Sequence, residues 1–139
     1  MLVYKYSNEE NTLMNLVELH TKAIRDIEFN LDGTTLFSAS KDRSIMLSDV
    51  NTGKLQRFYE NAHEAAIYRM NIIDEYLFAT GYEDGTLKLW DTREKGSSPI
   101  FSLKEVDDYI SSILTNEAKK ILLTTSGDGY LTAINIGAR

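Results

Sequence analysis

The chain repeats itself. An Asp-anchored turn running into a short strand occurs three times: Asp42-Arg43-Ser44-Ile45-Met46-Leu47-Ser48-Asp49, Asp84-Gly85-Thr86-Leu87-Lys88-Leu89-Trp90-Asp91 and Asp128-Gly129-Tyr130-Leu131-Thr132-Ala133-Ile134-Asn135. The turns lie 42 and 44 residues apart. Self-similarity at a period in the low forties restricts the chain to a stack of equivalent units. A turn-and-strand unit of that length, ending once in Trp-Asp, fits a four-stranded blade of a β-propeller.

The repeats align at finer grain. His20, His63 and Val106 follow one another at 43 residues, and an apolar triple comes next in each repeat. The triples are Ile24, Ile27 and Phe29, then Ile67, Met70 and Ile72, then Ile110, Ile113 and the less apolar Thr115. Offsets of three and then two break strict alternation, so each first strand should carry one extra residue, a β-bulge. Turn residues follow at Asn30-Leu31-Asp32-Gly33, Asp74-Glu75 and Asn116-Glu117-Ala118-Lys119. Second strands are expected over 36–40, 77–81 and 122–126, third strands over 45–50, 87–91 and 131–136, and outer strands over 54–60 and 100–104. Phe29, Phe37, Phe78 and Phe101 should pack between blades, while Tyr68, Tyr82 and Tyr109 fall at bulge or loop positions where a ring can face solvent.

The units expected are a half blade over 1–19, repeats over 20–62 and 63–105, and an incomplete repeat over 106–139. A closed propeller needs four to eight blades. The expectation is therefore an all-β propeller fragment of about three blades, with no closed ring and the remainder of the propeller missing.

Composition narrows the function. The chain is 42% hydrophobic and 26% charged, which suits a globular domain. It has no cysteine, so disulfides, thiol catalysis and thiolate metal sites are excluded, and a reducing intracellular setting fits. No apolar run is long enough to span a membrane. The net charge of -6 repels phosphate backbones, which makes direct nucleic-acid binding unfavourable. No spacing of His, Asp and Glu suggests a metal site, and no Gly-rich strand-loop-helix cradles a phosphate. No cofactor is expected.

The second full repeat resembles the WD40-repeat family: His63 lies before the first strand, Thr80 in the second, Asp84 in the turn, and Trp90-Asp91 ends the third. The likeness covers nearly the whole chain. The first repeat departs with Ser48-Asp49 and the third with Ile134-Asn135 and Val106, so those blades should be less rigid. The resemblance implies a structural hydrogen-bond chain of His63, Thr80, Asp84 and Trp90. It implies partial chains at His20, Ser38 and Asp42 and at Thr124 and Asp128. It also implies protein partners docked on the face carrying the Asp turns, with Arg25, Lys41, Tyr68, Glu83 and Tyr109 as candidate contacts. A narrower likeness, over 63–67, 77–81, 89–93 and 118–129, is to a nucleolar member of the family and implies ribosomal RNA processing in the nucleus, with the cytoplasm as alternative.

Three functions compete. A non-enzymatic scaffold, in ribosome biogenesis or another intracellular assembly, follows from the repeats. A propeller enzyme would need acids or metal ligands clustered at the inner strand ends, which the repeats do not offer. A truncated fragment without independent function follows from the missing blades.

Overall fold

Alternating apolar residues between Asp, Asn and Gly turns make strands, and no stretch carries a helical period. The computed structural model describes residues 2–6, 11–16, 20–104 and 106–137. In chain order the strands are β1 (Leu2–Tyr6), β2 (Asn11–Leu16), β3 (Ile24–Phe29), β4 (Thr35–Ser40), β5 (Ile45–Asp49), β6 (Leu55–Tyr59) and β7 (Ile67–Ile72). There follow β8 (Leu77–Tyr82), β9 (Thr86–Asp91), β10 (Phe101–Lys104), β11 (Ile110–Thr115), β12 (Ile121–Ser126) and β13 (Leu131–Asn135). The half blade expected over 1–19 lies partly outside the described residues, at 1, 7–10 and 17–19. No described helix is long and apolar enough to cross a membrane.

Four antiparallel sheets result. β1 pairs with β2, and the three larger sheets, called the first, second and third, run β3-β4-β5-β6, β7-β8-β9-β10 and β11-β12-β13 in order of the chain. Each larger sheet is a meander, as short turns between neighbouring strands require. The innermost strands stand side by side, β3 against β7 and β7 against β11. Asp26 Oδ2 accepts the Met70 backbone N–H at 2.8 Å, and Arg69 Nε donates to the Ser111 carbonyl at 3.0 Å. Thr115 Oγ1 donates to Asn71 Oδ1 at 3.1 Å. The three larger sheets thus fan out from a common axis as consecutive propeller blades, and among the described residues they do not close into a ring.

The three bulges are present. Pairing slips between Ile24 and Asp26, Ile67 and Arg69, and Ile110 and Ser112. The extra residues are Arg25, Tyr68 and Ser111, and each re-aims its strand at the same end of the sheet.

Two cores fill the gaps between sheets, and β8 serves both. Phe78 and Tyr82 face the first sheet, packing with Phe37, Ile45, Tyr59, Ile67 and Trp90. Leu77 and Ala79 face the third sheet, packing with Leu87, Leu89, Ile110, Ile113 and Leu122. β8 is therefore buried on both faces along its whole length, and it reads as mixed apolar, small and hydroxyl residues without a polar side.

Two of the four phenylalanines expected between blades are elsewhere. Phe37 and Phe78 are buried and meet edge to face at 5.2 Å. Phe29 is 54% exposed. It pairs with Leu36, whereas Phe37 opposite Glu28 carries the first core, so Phe29 belongs to the far face of the sheet. Phe101 is 38% exposed. It lies opposite Leu89, facing the third sheet, but that sheet has no fourth strand among the described residues to cover it.

One contact across the first gap comes from a side chain that the repeat pattern does not single out. Arg57 on β6 donates to the carbonyls of Thr92 and Glu94, each at 2.6 Å, and to that of Gly96. Its guanidinium lies 4.5 Å from the centroid of the Tyr59 ring. The outer strand of one sheet thereby fixes the loop that leads to the outer strand of the next.

Candidate docking face and the hydrogen-bond chains beneath it

Bulges and Asp turns sit at one end of each sheet, because β4, β8 and β12 run antiparallel to the bulged strands and finish beside them. The polar residues singled out by the repeats gather there. They form two layers: buried hydrogen-bond chains and an exposed rim.

In the first sheet His20 is the centre. Its Nε2 lies 2.8 Å from Ser38 Oγ, and its Nδ1 lies 2.9 Å from Ser44 Oγ and 3.3 Å from Asp42 Oδ2. Asp42 also accepts the backbone N–H groups of Thr21 at 2.8 Å and Ser44 at 2.9 Å, and the Ser44 hydroxyl at 2.5 Å. His20, Ser38 and Asp42 are thus joined in one network, with Ser44 as a fourth member that the sequence comparison did not include. The arrangement has the composition of a hydrolytic triad, but Ser38 is only 2% exposed and its hydroxyl cannot reach a substrate. The network ties a loop, a strand and a turn together.

The second sheet differs. Trp90 Nε1 donates to Thr80 Oγ1 at 2.8 Å, and the Thr80 hydroxyl donates to the Tyr82 hydroxyl at 3.0 Å. His63 Nε2 bonds Asp84 Oδ2 at 2.9 Å. The four residues expected in one chain therefore lie in two pieces. Tyr82 divides them. Where the other sheets carry Ser40 and Ser126, the second places a phenol, whose ring packs 4.4 Å from His63 and whose hydroxyl takes the Thr80 proton. Tyr82 is fully buried and does not face solvent as its place at a strand end suggested. Comparing that column of the repeat, Ser against Tyr against Ser, was the one available signal.

In the third sheet Thr124 is buried and Asp128 is exposed. Asp128 accepts from Ser126 Oγ, and no bond joins it to Thr124. Without a histidine at Val106 there is no side chain long enough to bridge turn and strand.

Burial and bonding set the charges. Burial alone would raise the Asp42 carboxyl, but hydrogen bonds from Ser44 and Thr21 outweigh it and hold the group down at about 2. Burial lowers His20, and nearby Asp42 offsets this only partly. Burial likewise raises Asp84, but the bonds from His63 and Thr86 together more than reverse it. Burial pushes Tyr82 up and Lys88 down.

Acid should therefore destabilise the fold in two windows. A histidine held below 6.5 binds its proton more readily unfolded, so stability contributed by His20 is present above that value and is lost as pH falls through it. An aspartate depressed from 3.8 to about 2 contributes stability above 3.8 that is lost as pH falls towards 2. Melting temperature measured against pH should fall in both windows, and His20→Gln should flatten the first. A wild-type melting temperature that holds constant from pH 7 to pH 5 would contradict the assignment.

The rim holds the five candidate contacts, with Lys41, Glu83 and Tyr109 exposed and Arg25 and Tyr68 half-buried, and three of them touch. The Arg25 guanidinium lies 4.8 Å from the Tyr68 ring centroid. Tyr68 stacks on Tyr109 at 5.0 Å with 29° between the ring planes. Tyr109 in turn rests on Gly127, where an added Cβ would come within 2.4 Å of the ring. Arg25 on β3, Tyr68 on β7 and Tyr109 just before β11 make a continuous ladder across the end of the fan. Lys41 and Glu83 are exposed beside it but do not join it; their backbone N–H groups donate to Ala23 and Ala66 at 2.9 Å each.

Comparison with known proteins agrees with this geometry. The family described as WD domain, G-beta repeat matches residues 11–49 and 53–91. Each matched span begins with the outer strand of one sheet and ends with the third strand of the next, which explains its offset from the sheets. The chain is 58% identical over 139 residues to a WD repeat-containing protein 55 homolog of Aedes aegypti, covering all of this chain and 29% of that protein. It is 53% identical over 137 residues to the homolog of Drosophila willistoni and 54% identical to that of Drosophila virilis, each covering 99% of this chain and 27% of the relative. The chain thus spans under a third of the length of these relatives.

Proposed function

We propose, from the premise that this chain belongs to the WD40-repeat family, that it is part of a non-enzymatic scaffold that docks other proteins on the end of the fan carrying the Asp turns. The observation that carries this reading is the ladder of Arg25, Tyr68 and Tyr109. Tyrosine and arginine bring large contact area with little entropy to lose, and both are enriched among residues that dominate binding energy. The hydrogen-bond chains beneath hold the loops and turns, and the nucleophile-like Ser38 is sealed.

The finer reading places this scaffold in ribosome biogenesis, in the nucleolus. It rests on the likeness of 63–67, 77–81, 89–93 and 118–129 to a nucleolar member of the family. A scaffold in another intracellular assembly is the second reading, favoured to the extent that one repeat resembles another across the family.

The test is comparative capture. Tagged wild-type protein and a Tyr68→Ala, Tyr109→Ala double variant are compared for the proteins each retains. The double variant should retain its partners at least about tenfold less well, as loss of an interface anchor worth roughly 2 kcal/mol implies. Its circular dichroism should be unchanged. Equal retention by both would defeat the docking reading. Partners outside pre-ribosomal particles would defeat only the finer one.

A further inference from the structure

The residue after the turn aspartate has a left-handed backbone in all three sheets, with φ 73° at Arg43, 82° at Gly85 and 90° at Gly129. Two sheets use the residue that adopts this conformation freely, and the first uses an arginine against its steric preference. Three non-glycine residues have positive φ among the described residues: Arg43, Asn61 and Lys119. Two of them, Arg43 and Asn61, line one recess of about 400 Å³ between the first and second sheets, with Ala62, His63, Glu64 and Lys88. Backbone strain gathered around one concavity is a reason to look for function there.

The recess is rich in donors. Lys88 is half-buried, and its ammonium donates to the Ala62 carbonyl at 2.7 Å while lying 5.4 Å from the centroid of the Tyr82 ring. Arg43 makes one long bond, Nη1 to the Glu64 carbonyl at 3.4 Å, and its other guanidinium nitrogens have no acceptor among the described residues. The exposed Asn61 amide adds a further donor. His63 forms a wall, held through Nε2 by Asp84. The single acid among the lining residues is Glu64, exposed at the rim.

A planar guanidinium beside an ammonium is the donor set that grips an oxyanion. A carboxylate would do no more than Glu64 already can. A phosphate monoester brings nearly two charges and three acceptor oxygens and outcompetes it. A nucleic acid would bring a whole row of phosphates against a chain of net charge -6, whereas one phosphate on a protein segment meets only the local field. We infer that the recess binds the phosphorylated serine or threonine side chain of a protein partner, clasped by Arg43 and Lys88. This deepens the docking reading and rests on it for the source of the phosphate, while using none of the ladder residues.

The test is titration of the 139-residue chain with a neutral glycine-rich peptide carrying one phosphoserine. The same peptide without phosphate, and inorganic phosphate alone, are the other arms. The reporter is the indole N–H resonance of Trp90, whose ring lies 6.0 Å from Lys88 Nζ. The phosphopeptide should shift it and the unphosphorylated peptide should not. Arg43→Gly should bind at least about tenfold more weakly, yet melt no lower than wild type, since glycine relieves the left-handed strain. Lys88→Gln should bind more weakly too, and Glu64→Gln more tightly.

Unchanged binding in Arg43→Gly and Lys88→Gln overturns the site. Weaker binding in Glu64→Gln overturns its preference for an anion. Inorganic phosphate binding as tightly as the phosphopeptide overturns the assignment to a protein-borne group. If phosphopeptide binding persists while the tyrosine double variant retains all partners, the docking reading fails alone. If the converse holds, the phosphate site fails alone.

Discussion

Replacing Trp90 by alanine is expected to cost about 3–5 kcal/mol of folding stability. The ring is fully buried at the centre of the first gap. It stacks on Phe78 at 5.9 Å with 8° between planes and meets Tyr59 edge-on at 5.3 Å. Alanine would leave a cavity inside the aromatic cluster of Phe37, Tyr59, Phe78 and Tyr82, and it would remove the donor to buried Thr80. Trp90→Phe separates the two losses. It keeps most of the packing and removes only the N–H, so about 1 kcal/mol should be lost. Denaturant unfolding followed by far-UV circular dichroism measures both, since the chain has no other tryptophan to report by fluorescence. An alanine variant within about 1 kcal/mol of wild type would mean that the aromatic cluster does not hold the first and second sheets together.

Gly85→Ala is expected to cost about 3 kcal/mol, from two sources of similar size. One is the left-handed backbone, with φ at 82°, which penalises any Cβ by about 1–2 kcal/mol. The other is space. A Cβ at Gly85 would lie 2.2 Å from the Val106 carbonyl oxygen and 2.8 Å from that of Asp108, and both are backbone atoms that cannot swing aside. Overpacking of this kind adds about 1–3 kcal/mol. Gly129 provides the control. It holds the same turn position with φ at 90°, but an added Cβ meets nothing within 4 Å. Gly129→Ala should therefore lose only the conformational part. Thermal melts of the two variants should differ clearly, and equal losses would show that the second and third sheets do not approach as closely as 2.2 Å at Gly85 implies.

Much of the fold is local and so could be read from the repeats. Strand alternation, the three bulges and the Asp turns depend on residues within a few positions of one another. The three-plus-two offset at Ile24, Ile27 and Phe29 is enough to place an extra residue between Ile24 and Ile27, and the pairing puts it at Arg25. The order of strands within each sheet follows from the short turns.

The polar sites were legible as positions but not as connections. His20, Ser38 and Asp42 share a column with His63, Thr80 and Asp84, yet the first set forms one network and the second two separate pieces. The difference lies in Tyr82 against Ser40, a change in volume whose effect depends on what packs around it. Arg57 reaching the carbonyls of Thr92, Glu94 and Gly96 left no mark in the pattern, because those acceptors are backbone atoms that any residue supplies.

The amino-acid order alone determined the unit: a recurring antiparallel sheet, its turns, its bulges and the end of the sheet at which its polar groups collect. Those features arise from backbone sterics and alternation, which act over a few residues. How the units meet was decided only in three dimensions. Tyr68 lies on Tyr109, Phe101 stays uncovered, and Arg43 shares a recess with Lys88. Each of these depends on the angle and spacing between sheets, which is set by the summed shape of both cores.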